Sequence, residues 1–305
     1  MRTRPSQPAV AALLLVLGLW AGCGSPDTAA APETGEEADD AMAQEHEGDR
    51  PEASEAAEAA PAEAATGDPV VYATLDGHEV TGYLARPAES DRPLPGLIVI
   101  HEWWGLNDNI QAMARRLAGE GYVALAVDLY GGQVAENPEA ARELVSQVDP
   151  DRALRNLQAA RSHLSERLAA TGGLPDRIGV IGWCFGGGWS LQTALALPEE
   201  IDAAVVYYGR PVTERAELEA LRAPLLGIFG AEDGSIPVAV VREMEATLED
   251  LGKSVEVHVY EGAGHAFANP SGTRYQPEAA EAAWRETVEF LGEHLPPGPP
   301  TEGGS

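Results

Sequence analysis

The fold is decided by the stretch Ile178-Gly179-Val180-Ile181-Gly182-Trp183-Cys184-Phe185-Gly186-Gly187-Gly188, an apolar run of strand length followed by a Gly-x-Cys-x-Gly turn. Such a turn predicts a strand that passes directly into a helix. Gly182 and Gly186 suit it because no side chain then stands where the strand and the helix pack closely. This arrangement delivers a nucleophile to the rim of a sheet, and the residue at its centre is Cys184. The stretch therefore predicts a nucleophile elbow with cysteine at the nucleophile position.

Strands and helices alternate on both sides of this elbow. Strands are expected at 97–100, 122–127, 203–208, 225–229 and 255–260. Helices are expected at 107–118, 138–147, 151–168, 237–251 and 277–295, besides the one that follows the elbow to about residue 197. The pair Asp76-Gly77 predicts a hairpin turn between strands at 70–75 and 79–85. This alternation predicts an α/β fold with a mostly parallel central sheet and helices on both faces.

The composition separates one large domain from an acidic N-terminal region. The 305 residues are 44% hydrophobic, which is enough for a substantial core. The formal net charge is −29, and residues 24–69 hold fourteen Asp and Glu against one Arg. Since that tract almost lacks large apolar residues, 23–69 is predicted to be a disordered linker, followed by the folded domain at 70–296 and a disordered tail at 297–305. So acidic a domain argues against a nucleic-acid partner, because phosphates would be repelled.

The first 23 residues resemble the export signal of a bacterial lipoprotein. Arg2 and Arg4 form a basic start, an apolar run covers 9–19, and small residues precede Cys23. The resemblance implies a signal peptide at 1–22 and a lipidated Cys23, which would anchor an exported protein to a bacterial membrane, in the periplasm or at the cell surface. The alternatives are ordinary signal cleavage nearby or an uncleaved anchor.

Four candidate catalytic residues follow predicted strand ends, where ligands bind in sheets of this kind: Glu102, Cys184, Asp233 and His265. Nucleophile, acid and histidine occur in the order found in α/β-hydrolases. Cys184 is predicted to attack as a thiolate, His265 to accept and return its proton, and Asp233 to orient His265. The sequence shows no His and Cys spacing typical of a metal site, so neither a metal nor a cofactor is expected.

The backbone N–H groups of Phe185, which follows the nucleophile, and Trp103, in the loop after strand 97–100, are predicted to form the oxyanion hole. Trp104 and Trp183 are expected to form an apolar wall of the substrate pocket, although both could simply belong to the core.

Each candidate also has a structural interpretation. A cysteine between glycines is often a small core residue, and an Asp before Gly234 often caps a turn. The order of the three residues favours catalysis over these alternatives. The remaining histidines in the linker and in predicted surface helices are expected to have no role; these are His46, His163 and His294.

The segment from about 70 to 295 resembles the dienelactone hydrolase family. The matching stretches are His101-Glu102-Trp103-Trp104-Gly105-Leu106-Asn107, Asp128-Leu129-Tyr130, Gly182-Trp183-Cys184-Phe185-Gly186-Gly187, Tyr207-Tyr208-Gly209, Gly230-Ala231-Glu232-Asp233 and Gly264-His265-Ala266-Phe267. The resemblance implies the α/β-hydrolase fold and a triad of Cys184, His265 and Asp233. It also implies that Glu102 matches a family glutamate that helps to activate the cysteine when substrate binds.

One departure concerns the substrate. Family members that cleave dienelactone hold the substrate carboxylate with arginines, one of them shortly after the catalytic histidine. Here Asn269 stands in that stretch, and it carries no charge for a bidentate clamp. Arg142 is the nearest candidate for the other arginine, which lies in the helical insertion. Asn269 therefore favours a neutral ester or lactone as substrate.

The sequence thus predicts a cysteine-dependent hydrolase of carboxylic esters or lactones that works through an acyl-enzyme. Its partners would be a small-molecule substrate and, through the lipid anchor alone, a membrane. Three alternatives remain open at this point. The same fold could serve a non-catalytic binding protein, Cys184 could be a redox-sensing thiol, or the machinery could act as a thioesterase or transacylase.

Overall fold

The computed structural model describes residues 42–49 and 65–300. The strands are β1 (Ala65–Leu75), β2 (His78–Pro87), β3 (Gly96–Ile100), β4 (Val123–Val127), β5 (Ile178–Trp183), β6 (Ala203–Tyr207), β7 (Leu225–Gly230) and β8 (Val255–Tyr260). The helices after β1 are α1 (Asp108–Gly119), α2 (Pro138–Ser146), α3 (Pro150–Thr171), α4 (Phe185–Ala196), α5 (Arg215–Leu218), α6 (Val238–Asp250) and α7 (Pro277–His294).

The eight strands form one sheet in the order β1-β2-β4-β3-β5-β6-β7-β8. The strands from β3 onward pair in parallel, and β1 and β2 add an antiparallel edge. The central strands β3, β4, β5, β6 and β7 are buried throughout, as their continuous apolar runs require in a sheet covered by helices. The predicted α/β-hydrolase fold is confirmed.

Local sequence signals account for the start of a helix and for the turn between two strands. The Asn107 side chain accepts a hydrogen bond from the N–H of Ile110 and begins α1. Asp76 and Gly77 both have positive φ, at 54° and 82°, which is the backbone of the predicted hairpin turn. The short helix α5 is the one element after residue 70 that the sequence pattern did not indicate.

Both ends of the described chain are more ordered than the composition indicates. Residues 65–69 belong to β1, where Ala65 pairs with Pro87, and residues 42–49 form a helical turn followed by a short loop. At the other end, the N–H of Gly298 donates to the carbonyl of Pro93. The ordered contacts therefore extend beyond the predicted domain bounds of 70 and 296, because pairing with distant backbone compensates for poor apolar content.

The predicted signal peptide and the lipidated Cys23 lie outside the described residues. Among the described helices, none combines the length and the apolar character needed to cross a bilayer.

Candidate active site

The elbow between β5 and α4 places Cys184 at the carboxyl edge of the sheet. Its backbone has φ 54° and ψ −118°, an uncommon conformation for a residue with a side chain. A Cβ on Gly182 would lie 2.1 Å from the carbonyl oxygen of Gly186. Only glycine therefore permits the tight approach that turns the strand into the helix, and the turn holds the thiol at the helix N-terminus.

His265 lies in the loop after β8, beside the elbow. Its Nδ1 is 2.7 Å from Oδ2 of Asp233, and both side chains are fully buried. The other carboxylate oxygen of Asp233 accepts the N–H groups of Ser235 and Ile236, both at 2.8 Å, so the turn after β7 fixes the carboxylate. In the part of the chain that the structure describes, Nε2 of His265 has no hydrogen-bond partner. The paired Nδ1 leaves this second nitrogen available for proton transfer.

Glu102 follows β3 and is buried against the same site. Its carboxylate accepts hydrogen bonds from Nδ2 of Asn269 at 2.5 Å and from the hydroxyl of Tyr208 at 3.4 Å. Burial, and then the negative charge of Cys184, raises the pKa of Glu102 to about 8. Glu102 is thus largely neutral at pH 7, where it adds little repulsion to a thiolate. Asn269 is occupied in holding this carboxyl group.

The two predicted oxyanion donors flank the thiol from different elements. Phe185 is the first residue of α4, and the first N–H groups of a helix have no acceptor within it. Trp103 lies in the turn after β3 and lines the same cavity as Cys184. Both residues therefore line the cavity beside the thiol, as the predicted oxyanion hole requires.

A cavity of about 340 Å³ opens beside Cys184. It is lined by Met42, Trp103, Arg142, Val145, Cys184, Phe185, Gly188, Trp189, Gln192, Tyr208, Arg210, Pro211, Val212, Ser235 and Ile236. Of the predicted pocket residues, Arg142 lies in this lining, whereas Trp104, Trp183 and Asn269 are buried and do not line the cavity. Arg210 was not among the predicted pocket residues, although it follows β6 as the other candidates follow their strands.

The largest difference from the sequence analysis is the position of His46. This residue was expected to have no role, yet it is fully buried and its Nε2 lies 3.9 Å from Sγ of Cys184. Met42 Sδ is 3.6 Å from the same sulfur. Both come from residues 42–49, hereafter the N-terminal segment, in the tract predicted to be disordered. The only local signal was a His-x-x-Asp pair, at His46 and Asp49, within a low-complexity tract.

The electrostatics of the site favour a thiolate. Burial alone would raise the pKa of the Cys184 thiol, but the positive charge of His265 lowers it, and His46 lowers it further, to about 6. For His265, burial lowers the pKa, while the charge of Asp233 and then that of Cys184 raise it well above the ordinary value. Thiolate and imidazolium therefore stabilise each other in this buried site.

The site also contains a set of possible metal ligands, which no His and Cys spacing in the sequence predicts. Ligand atoms of His46, Cys184 and His265 lie within 4.8 Å of one another. Thiolate and imidazole are preferred ligands of Zn²⁺, so a soft divalent cation could bind there. A second group of this size, at Glu256, His258 and Glu286, lies at the surface.

Known proteins match this chain over most of the described domain. Residues 80–295 match the model of the dienelactone hydrolase family. Protein usf of Aquifex pyrophilus is 35% identical over 227 residues, covering 72% of this chain and 96% of that protein. A candidate carboxymethylenebutenolidase of Aquifex aeolicus (strain VF5) is 33% identical with the same coverage. A crystal structure of a candidate dienelactone hydrolase from Klebsiella pneumoniae is 32% identical, with a TM-score of 0.67, over 75% of this chain and 99% of that one. These matches confirm the resemblance found in the sequence.

Proposed function

Because the chain belongs to the dienelactone hydrolase family and is a carboxylic-ester hydrolase, we propose that Cys184 is its nucleophile and that the reaction passes through an acyl-enzyme. The observation that carries the proposal is that three features meet at the elbow. A buried thiol with a lowered pKa stands beside an imidazole that is oriented by Asp233, at the edge of a cavity that can hold a small substrate.

In the proposed acylation step, the thiolate of Cys184 attacks the carbonyl carbon. The N–H groups of Phe185 and Trp103 hold the resulting oxyanion. His265 gives its proton to the departing alkoxide, so that a C–S bond replaces a C–O bond. Water then attacks the thioester while an imidazole takes its proton, and the carboxylic acid leaves as the thiolate re-forms.

The acyl-enzyme is tested by trapping it on the full-length chain. Mixing with p-nitrophenyl acetate and quenching with acid in the first turnover is expected to give an acetyl group on the Cys184 peptide, together with a burst of p-nitrophenol near one equivalent. Mass spectrometry of the digested protein locates the adduct. Steady turnover with neither burst nor adduct, at quench times shorter than one turnover, would contradict a thioester intermediate.

The cavity supports a substrate that carries a carboxylate. Arg142 and Arg210 both line it, and a guanidinium group can pair with a carboxylate through two hydrogen bonds. Asn269, the basis for expecting a neutral substrate, binds Glu102 and does not line this cavity. The neutral-substrate expectation therefore loses its support, and we propose small anionic esters or lactones instead.

The kcat/KM for mono-p-nitrophenyl glutarate is expected to exceed that for p-nitrophenyl butyrate about fivefold, because an exposed ion pair contributes up to about 1 kcal/mol. Arg210→Gln should remove most of this preference through KM and leave hydrolysis of the neutral ester nearly unchanged. Equal rates for both esters in the parent protein would exclude this role of the arginines.

A further inference from the structure

The N-terminal segment is docked on the two loops that carry the acid and the histidine of the site. Glu45 accepts the N–H of Gly234, next to Asp233, and pairs with Arg274 at 3.1 Å. Asp49 accepts both the N–H and the hydroxyl of Thr273, each at 2.6 Å. These directed contacts fix the position of the segment beside the thiol.

His46 repeats the arrangement of His265 on the other side of Cys184. Its Nδ1 lies 2.8 Å from Oδ2 of Asp49, just as Nδ1 of His265 lies 2.7 Å from Asp233. A carboxylate at Nδ1 fixes the tautomer and directs Nε2 outward, here toward the sulfur. The ring also packs on Trp103, with ring centroids 4.6 Å apart. Two oriented imidazoles therefore face one thiol.

The N-terminal segment walls the substrate cavity without filling it. The cavity of about 340 Å³ reaches Cys184 while the segment is in place, and Met42 is part of its lining. The position of His46 is therefore compatible with substrate binding.

We propose that the N-terminal segment is part of the active site and that His46, oriented by Asp49, is a second catalytic base that shares the proton of the Cys184 thiol with His265. This inference rests on Cys184 being the nucleophile. In the step concerned, the proton leaves Sγ and is held at Nε2 of either imidazole, and no other bond changes. The second imidazole increases the thiolate population and supplies a second base for the deacylating water.

The pH dependence follows from the groups that face His46, which are Asp49, Cys184, His265 and Glu102. Burial lowers the pKa of His46, but the hydrogen bond to Asp49 and then the interaction with Cys184 raise it above its ordinary value. Since the thiolate is the reactive form, alkylation of Cys184 should increase with pH over the range in which the thiol gives its proton to an imidazole. Removing His46 removes one of the two imidazoles that can hold the thiol proton, so the midpoint of this increase should move up.

The test uses the full-length chain in buffer with EDTA. Alkylation by iodoacetamide is followed on the Cys184 peptide between pH 4.5 and 9.5, together with kcat/KM for p-nitrophenyl acetate. The variants are His46→Ala and Asp49→Asn. The matched control is Glu47→Gln, because Glu47 is exposed and lies in the same segment. Asp49→Asn keeps an oxygen for Thr273 and so keeps the proposal testable if His46→Ala fails to fold.

His46→Ala is expected to raise the alkylation midpoint by about 1 pH unit and to lower kcat/KM at pH 6.5 at least about tenfold. Added imidazole should restore part of the activity. Asp49→Asn should act in the same direction and less strongly, and Glu47→Gln should match the parent. An unchanged midpoint in both variants, or a rise in activity, would overturn the proposal. A parent without ester turnover would instead contradict the proposed function, while the alkylation midpoints would still report on His46.

Discussion

Replacing Cys184 by alanine is expected to lower kcat/KM for p-nitrophenyl acetate at least about 10³-fold at pH 7. The reason is that no other nucleophile among the described residues occupies the elbow, so the proposed covalent route would be lost entirely. What activity remains would come from binding and from the oxyanion donors. Steady-state hydrolysis, measured with the parent at equal protein concentration, checks this expectation.

The variant should fold because Cys184 already adopts φ 54° with a side chain, and alanine adds no atom to the buried elbow. Circular dichroism and thermal melting verify the fold. Cys23→Ser provides the matched cysteine control and should leave hydrolysis unchanged, since Cys23 is predicted to carry lipid. Parent-like hydrolysis by the Cys184→Ala protein would show that the ester is cleaved by another group.

Replacing His265 by asparagine is expected to lower kcat about 10³- to 10⁴-fold at pH 7. In the proposed mechanism His265 contributes twice, because its charge lowers the pKa of Cys184 and its Nε2 carries the proton to the leaving group. Asp233→Asn should lower kcat in the same range, since the imidazole would lose the partner that fixes its tautomer. Steady-state kinetics from pH 5 to 9 would measure both variants.

The matched control is His258→Asn, which changes a histidine of β8 at the protein surface and should keep kcat within about twofold. A loss smaller than tenfold in His265→Asn, with an intact fold, would mean that His46 can replace it as the base. Comparing His265→Asn with His46→Ala therefore ranks the two imidazoles. The histidine whose replacement causes the larger loss of kcat is the principal base.

Most of the fold was predictable because its signals are local. Continuous apolar runs mark the buried parallel strands, and the Asp76-Gly77 pair marks the hairpin turn. The start of β1 was missed because Ala65 is held by pairing with Pro87, which its own composition does not reveal. The prediction of the pocket wall was partly wrong. Trp104 and Trp183 are neighbours of site residues in the sequence, but their side chains are buried in the core.

The sequence by itself determined that Cys184, Asp233 and His265 would meet, because each follows a strand end and the carboxyl ends of parallel strands share one edge of the sheet. Only the tertiary structure decided that His46 would join them. Its position depends on hydrogen bonds that Asp49 and Glu45 accept from loops more than 180 residues away, and such long-range contacts leave no periodic pattern in an acidic, low-complexity tract. The sequence also could not show that Asn269 binds Glu102, since the two residues are 167 positions apart and only the folded sheet brings them together.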